Sequence, residues 1–295
     1  MKKIKLKTEL TCFAFYGPIV IIYTMLSIMS TVMLFFYSFT DWNGLTKTFS
    51  FIGFENYLKI LKDDILIISI KNSFLFLIIY PIVTVLPALI LAVLIDNMTS
   101  RLGNFVKSGF FLPSILNGLA VSFIWVYMYR SDIGVINTLL RTVGLHSLQV
   151  DWLGDLRVVI LSITIIAAWK GIGTPMMMFL AALKTVPKDL LDAAEIDGAN
   201  GIQKFRKVTL PIIWPSFNVC MLLVVTGALK IYEPIYVSTG GGPGYLTYSI
   251  VMYIVNLVMG SDRVGYASAI GTVFFTIILF ISLLQFRLMS RKGTE

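Results

Sequence analysis

The chain has 295 residues, a net charge of +8, 57% apolar residues, only 14% charged ones and a mean hydropathy of +0.84. Average soluble domains carry roughly 25% charged residues, so a soluble fold is excluded and a polytopic, all-α membrane protein is expected. The positive surplus sits at the ends of apolar runs, where it sets topology rather than marking a nucleic-acid partner; Cys12 and Cys220 lie in apolar surroundings and His146 stands alone, so neither a disulfide nor a metal site is expected.

The basic start MKKIKLK precedes an apolar run over 13–37. That run exceeds the roughly 7–15 residues of a signal-peptide core and reads as a retained first transmembrane helix. Five further runs, at 73–95, 110–129, 158–183, 212–232 and 266–288, also reach the roughly 20 residues a bilayer demands. Residues 1–12 and 289–295 are then polar ends of one membrane domain over 13–288. Pro81, Pro87 and Pro113 predict kinks within spans. The stretch 248–259 is apolar but short, so it either lies in the interface or re-enters. Lysines and arginines are more numerous on one set of loops: Lys2, Lys3, Lys5 and Lys7, then Arg101 and Lys107, then Lys184, Lys188, Lys204, Arg206 and Lys207, then Arg287, Arg291 and Lys292. This bias predicts that both termini and the 187–215 segment are cytoplasmic.

The 187–215 segment is the longest polar interruption in the second half of the chain. Pro187 suits a first helical turn. Leu190, Leu191 and Ala194 fall on one helical side; Asp189, Asp192 and Glu195 recur every third residue on another. Gly198 fits a helix end, and Asn200 with Gln203 has capping-box spacing for a second short helix from 201 to about 209. Pro211 then kinks the chain or opens the next span. Two short helices with a sharp elbow are expected.

No phosphate-binding G-x-x-x-x-G-K-[ST] is present, and the run Gly240-Gly241-Gly242-Pro243-Gly244 lacks the following Lys. Energy from ATP would have to come from a partner. Lys170 lies near the middle of the fourth span, where a charge costs at least about 2.5–3.5 kcal/mol. Either Trp169 and Lys170 line a solute path, or Lys170 is a buried structural cation. Lys230 and Glu233 form either a simple helical ion pair or, with Tyr232 and Tyr236, the polar rim of a cavity suited to a sugar. No acidic residue falls near the middle of any of the six runs, which counts against an ion-coupled secondary transporter.

Asp192-Ala193-Ala194, then Gly198, then Val208-x-Leu210-Pro211, resembles the Glu-Ala-Ala signature of permease subunits in ATP-binding cassette importers, with Asp for Glu and Val for Ile. Thr239-Gly240-Gly241-Gly242-Pro243 with Thr247, and Trp169-Lys170-Gly171-Ile172-Gly173, resemble the carbohydrate branch of maltose-permease and glycerol-phosphate-permease type. The resemblance implies the type I importer permease fold, with a coupling segment at 187–211 that docks on an ATPase through Asp192, Ala193, Ala194, Gly198, Leu210 and Pro211. It implies a second related permease, two cytoplasmic ATPase subunits that bind ATP and Mg, an extracytoplasmic solute-binding protein and a carbohydrate substrate. A glycerol-phosphate or polyol remains the alternative cargo. The implied location is the bacterial or archaeal cytoplasmic membrane, with no cofactor and no enzymatic activity in this chain.

Overall fold

The computed structural model describes residues 16–290, with side chains over 16–287. The basic N-terminal segment, Cys12, the first three residues of the 13–37 run and the end of the C-terminal tail lie outside the described residues. Among the described residues the regular secondary structure is helical, apart from one isolated bridge between Thr40 and Phe51. It divides into two compact units: residues up to Asp63 with Ile254–Thr276, and Asp64–Tyr253 with residues from Ile277 onward.

In the first unit, α1 (Tyr16–Tyr37) is long and apolar enough to span a membrane and has none of its hydrophobic window buried, as expected of a lipid-facing helix. Its C-terminal end is tied down by α2 (Glu55–Ile60): Asn56 Nδ2 donates to the carbonyls of Ser38 at 3.0 Å and Thr40 at 2.8 Å. The last helix, α14 (Val264–Ser290), starts in this unit and continues into the second. Phe275 meets Phe35 edge to face, with centroids 6.0 Å apart.

The second unit is built around α3 (Asp64–Asp96). Its 33 residues rise ~50 Å, more than the roughly 30 Å hydrocarbon core requires. Ala88 and Ala92, four apart and fully buried, let neighbouring helices approach closely. Against them pack Ile172, Met176 and Phe179 from around α8 (Gly173–Leu183), and Cys220 and Val224 from α11 (Leu210–Leu229). Dispersion in this contact replaces the hydrophobic effect, because lipid tails are as apolar as the side chains they meet.

Two spans are broken. The 110–129 run is not one helix. α4 starts at Ser100 and ends at Ile115; α5 runs from Gly118 to Met128 at 107° to it. Leu116 and Asn117 adopt extended ψ, and the Asn117 carboxamide oxygen accepts the Leu119 amide at 2.8 Å, capping the new helix. The fourth run divides into α7 (Val159–Gly171) and α8, bent by 48° beside Gly171 and Gly173. Beyond α5 lies α6 (Val135–Thr142). After α8 come α9 (Lys188–Ile196) and α10 (Gly201–Lys204), which leads into α11. After α11 come α12 (Glu233–Ser238) and α13 (Ile250–Met259). In α13, Ile250, Met252, Tyr253 and Leu257 are buried, so the short apolar stretch is covered by protein along most of one side.

The glycine-rich stretch is a tight turn. Gly240, Gly241 and Gly244 have positive φ, and a side chain on Gly241 would enter the Tyr248 ring. The Thr239 and Thr247 hydroxyls bond at 2.8 Å across it. Asn72 Nδ2 on α3 holds the far side by donating to the Leu246 and Tyr248 carbonyls at 2.9 and 3.0 Å.

Candidate functional site: an elbow and a membrane-embedded cavity

The 187–211 segment forms an elbow. Pro187 is the extended residue just before α9, one position earlier than its sequence preference suggests. Leu191 turns inward against Val186 and Ile213, while Asp192 and Ala193 are exposed and Ala194 is half-buried. Gly198 reverses the chain at φ +80°. Both bonds of the capping box are present: Gln203 N to Asn200 Oδ1, and Asn200 N to Gln203 Oε1, each 2.9 Å. Lys204 Nζ donates to Glu195 Oε2 at 2.7 Å and braces the two arms. The Lys204 ammonium holds the Glu195 carboxyl below the usual glutamate range. The second arm does not stop near Thr209. It widens into a π turn over Phe205–Thr209 and continues as α11, with Leu210 half-buried and Pro211 exposed. Pro211 has no N–H to donate backward, which accounts for the widened turn immediately before it. Sequence patterning missed two residues here: Ile196 and Ile202 are 87% and 80% exposed at the elbow tip.

The elbow is fixed to the spans. Val93, Leu183, Val186, Leu191 and Phe205 surround a cavity of about 310 Å³ behind it. Lys184 Nζ, just beyond α8, pairs with Asp96 Oδ1 at the end of α3, 2.5 Å away.

A second cavity, about 460 Å³, lies at the level of the span breaks. Lys170, Lys230, Tyr232 and Glu233 line it, together with Tyr80, Ser114 and Thr174. Ser114 Oγ donates to the Lys170 carbonyl at 2.8 Å, joining the broken end of α4 to that of α7. The helical Lys230–Glu233 pair, one of the two readings of their spacing, does not form. The helix is interrupted between Leu229 and Glu233, with Tyr232 at φ −138°, and Glu233 Oε2 instead faces Lys170 Nζ at 3.6 Å. The fold therefore brings a carboxylate to the mid-span level of Lys170, although none of the six apolar runs has one near its middle. Gly118 makes this possible: a Cβ there would fall within the Glu233 carboxylate, 2.5 Å from Cδ and nearer still to Oε2.

Trp169 is not among the residues lining this cavity. It meets Trp125 edge to face at 5.9 Å and packs on the Val121, Tyr129 and Ile166 cluster. Tyr236 stacks on Tyr232, centroids 5.5 Å apart, one step outside the lining. Gly118, Ser114 and Tyr80 were not legible as site residues. The signal that could have marked the break is the Asn-Gly pair at 117–118. No cluster of three metal-binding side chains occurs among the described residues.

Residues 88–293 match the family described as "Binding-protein-dependent transport system inner membrane component". The chain is 31% identical over 261 residues to the probable ABC transporter permease protein YurN of Bacillus subtilis, covering 88% of this chain and 89% of that protein. It is 30% identical to the multiple sugar-binding transport system permease protein MsmF of Streptococcus mutans, covering 87% of each. Among solved structures it is similar to a chain of a bacterial alginate ABC transporter in complex with an alginate pentasaccharide-bound periplasmic protein, with TM-score 0.84, 22% identity, and 98% and 97% of the two chains covered.

Proposed function

We propose that this chain, which belongs to the family of binding-protein-dependent transport system inner membrane components, is one of two permeases forming the path of an ATP-driven saccharide importer. It is a multi-pass membrane permease. In this reading it works with a related second permease, two cytoplasmic ATPase subunits and an extracytoplasmic binding protein, in the cytoplasmic membrane of a bacterium or archaeon. The sugar relatives and the saccharide-loaded periplasmic protein of the structural neighbour support the class of cargo and the binding-protein partner.

The observation that carries the proposal is the construction of the elbow. A glycine-reversed, box-capped pair of helices presents Asp192, Ala193 and two uncovered isoleucines, and its two arms connect directly to α8 and α11. These are the spans that approach the Lys170–Glu233 cavity. ATP-driven closure of an ATPase pair on Asp192–Gly198, with Leu210 and Pro211 at the second arm, moves α8 and α11 and alternates access to that cavity. Lys170, Tyr232 and Glu233 meet the solute's polar edges, while Trp169 and Tyr236 stand behind that lining. Such coupling requires the elbow's contacts to differ between the two states.

The test is ATP hydrolysis by the complex purified through a tag on this chain and placed in lipid, with and without loaded binding protein. Hydrolysis stimulated by a saccharide-loaded binding protein is expected. Failure of any ATPase to co-purify in several mild detergents overturns the proposal.

A further inference from the structure

The segment after α5 carries an apolar surface that the proposed transport path does not use. Gly134 sits directly on the end of α5; a Cβ there would meet the Met128 carbonyl at 2.6 Å. Asn137 then pins α6 in place: Trp152 Nε1 donates to its Oδ1 at 2.9 Å, and its Nδ2 donates to the Val150 carbonyl at 3.0 Å. Trp152 in turn stacks on Tyr129, whose hydroxyl donates to the Ser162 carbonyl at 3.2 Å near the start of α7. These contacts set α6 at the end of the membrane-spanning body opposite the elbow. The adjacent Arg130–Asp132 and Asp155–Arg157 pairs mark the edge of water.

At 100° per residue, Val135, Leu139, Val143, Ile136 and Leu140 occupy one continuous arc of α6 and its cap. Ile136 packs inward on the Val121, Tyr129 and Ile166 cluster. The other half of the arc is uncovered: Val135, Leu139 and Val143 are 51%, 59% and 66% exposed. Phe123, Ile124 and Tyr127 on the preceding helix are exposed as well, so the apolar surface of the span resumes on α6. From 133 to 150 the only charge is Arg141, with no carboxylate. Arg141 makes no ion pair among the described residues.

We propose that α6 is an interfacial anchor. Its Val135–Leu139–Val143 stripe sinks into the headgroup–acyl boundary of the leaflet opposite the elbow, and Arg141 meets anionic lipid headgroups. Its rigid packing on α5 and α7 through Asn137 and Trp152 thereby fixes the broken spans against the bilayer surface.

The test is spin-label accessibility on the assembled transporter in nanodiscs containing anionic lipid. Single cysteines replace Leu139, Val143 and, on the polar side, Thr138, in a Cys12→Ser background that leaves the fully buried Cys220 in place. At 139 and 143, collision with oxygen should exceed collision with a water-soluble nickel complex, with a depth of about 5–10 Å. The order should reverse at 138. Addition of loaded binding protein should change neither. Nickel-dominated collision at 139 and 143 overturns the proposal, since the stripe is then in water. Low collision with both reagents, or protection on adding binding protein, overturns it in favour of a protein partner.

Discussion

Replacing Gly118 with Ala isolates the Lys170–Glu233 contact. The added methyl needs the volume now held by the Glu233 carboxylate. That carboxylate ends a flexible side chain, so it moves aside rather than forcing the backbone apart, and the cost falls on its contact with Lys170. The pair is separated by 3.6 Å, with side chains 34% and 44% exposed. Such geometry is longer than a tight charge-assisted bond and partly screened, which limits its worth to about 1 kcal/mol or less. Gly118→Ala alone should therefore lower the stability of the detergent-solubilised complex by at most about 1 kcal/mol. In a Glu233→Ala background the same substitution meets no carboxylate and should cost nothing measurable. A double-mutant cycle by thermal unfolding gives the coupling directly. Uptake should fall more than stability in Gly118→Ala, because Lys170 then stands in the cavity without its counter-ion. Equal destabilisation in both backgrounds would refute the assignment of Gly118 as the seat of Glu233.

Two further expectations concern the elbow. Gly198 holds φ +80° with open space where a Cβ would lie, so its requirement is conformational and not steric crowding. Gly198→Val should cost about 1–2 kcal/mol locally and reduce ATPase co-purification and uptake, whereas Gly198→Asn, which tolerates that conformation, should retain most of both; equal loss in the two variants would contradict this. The Glu195 carboxyl is depressed by Lys204. A depressed acid contributes stability above its unfolded pKa, about 4.3, and loses it as pH falls through the lower folded value. Amide exchange over 188–204 should therefore be insensitive to this pair between pH 6 and 8 once intrinsic rates are removed, and should show extra opening below about pH 4 that Glu195→Gln abolishes.

The elbow was readable from sequence because its determinants are local. Gly198, Asn200 and Gln203 act within a few residues of one another, and spacing alone specifies the reversal and the capping box. The span limits were less readable. Hydropathy reports where a helix is apolar, not where it is helical, so α3 and α4 begin nine and ten residues before the runs that announced them. The break at Leu116–Asn117 lies inside a run that passes as a single span by length and overall hydropathy, and the Asn117 side chain caps the helix that follows it. The cavity was readable only in part. Lys170 stands out as a charge in an apolar run. Its partner Glu233 is distant in sequence and arrives through the interruption after Leu229, which also removes the Lys230 pairing that i,i+3 spacing suggests. Trp169 shares Lys170's helix but, one residue away, points about 100° around it, into the aromatic cluster.

The positions of the breaks constrain how the proposed coupling works. From the elbow to the bend beside Gly173, α8 spans ~16 Å, and Met176 and Phe179 along it are fully buried against α3 and α11. Close-packed interiors shift between discrete arrangements and do not stretch continuously, so displacement of the elbow is transmitted along α8 rather than absorbed within it. The bend is where that motion meets the broken spans. Gly173 lies against the Phe110 carbonyl and Phe111 Cα, each 2.9 Å from where a Cβ would sit, and Ser114 holds the Lys170 carbonyl. In the proposed coupling, movement of α8 is thus delivered to both broken spans at the level of Lys170. Glu233 belongs to the segment after α11, whose first turn forms the elbow's second arm, so in the proposed coupling the two halves of the charge pair answer to opposite arms of one elbow. The proposed coupling therefore requires that a change in the angle between those arms alter the 3.6 Å separation of Lys170 and Glu233 and, with it, the polar groups offered to a solute.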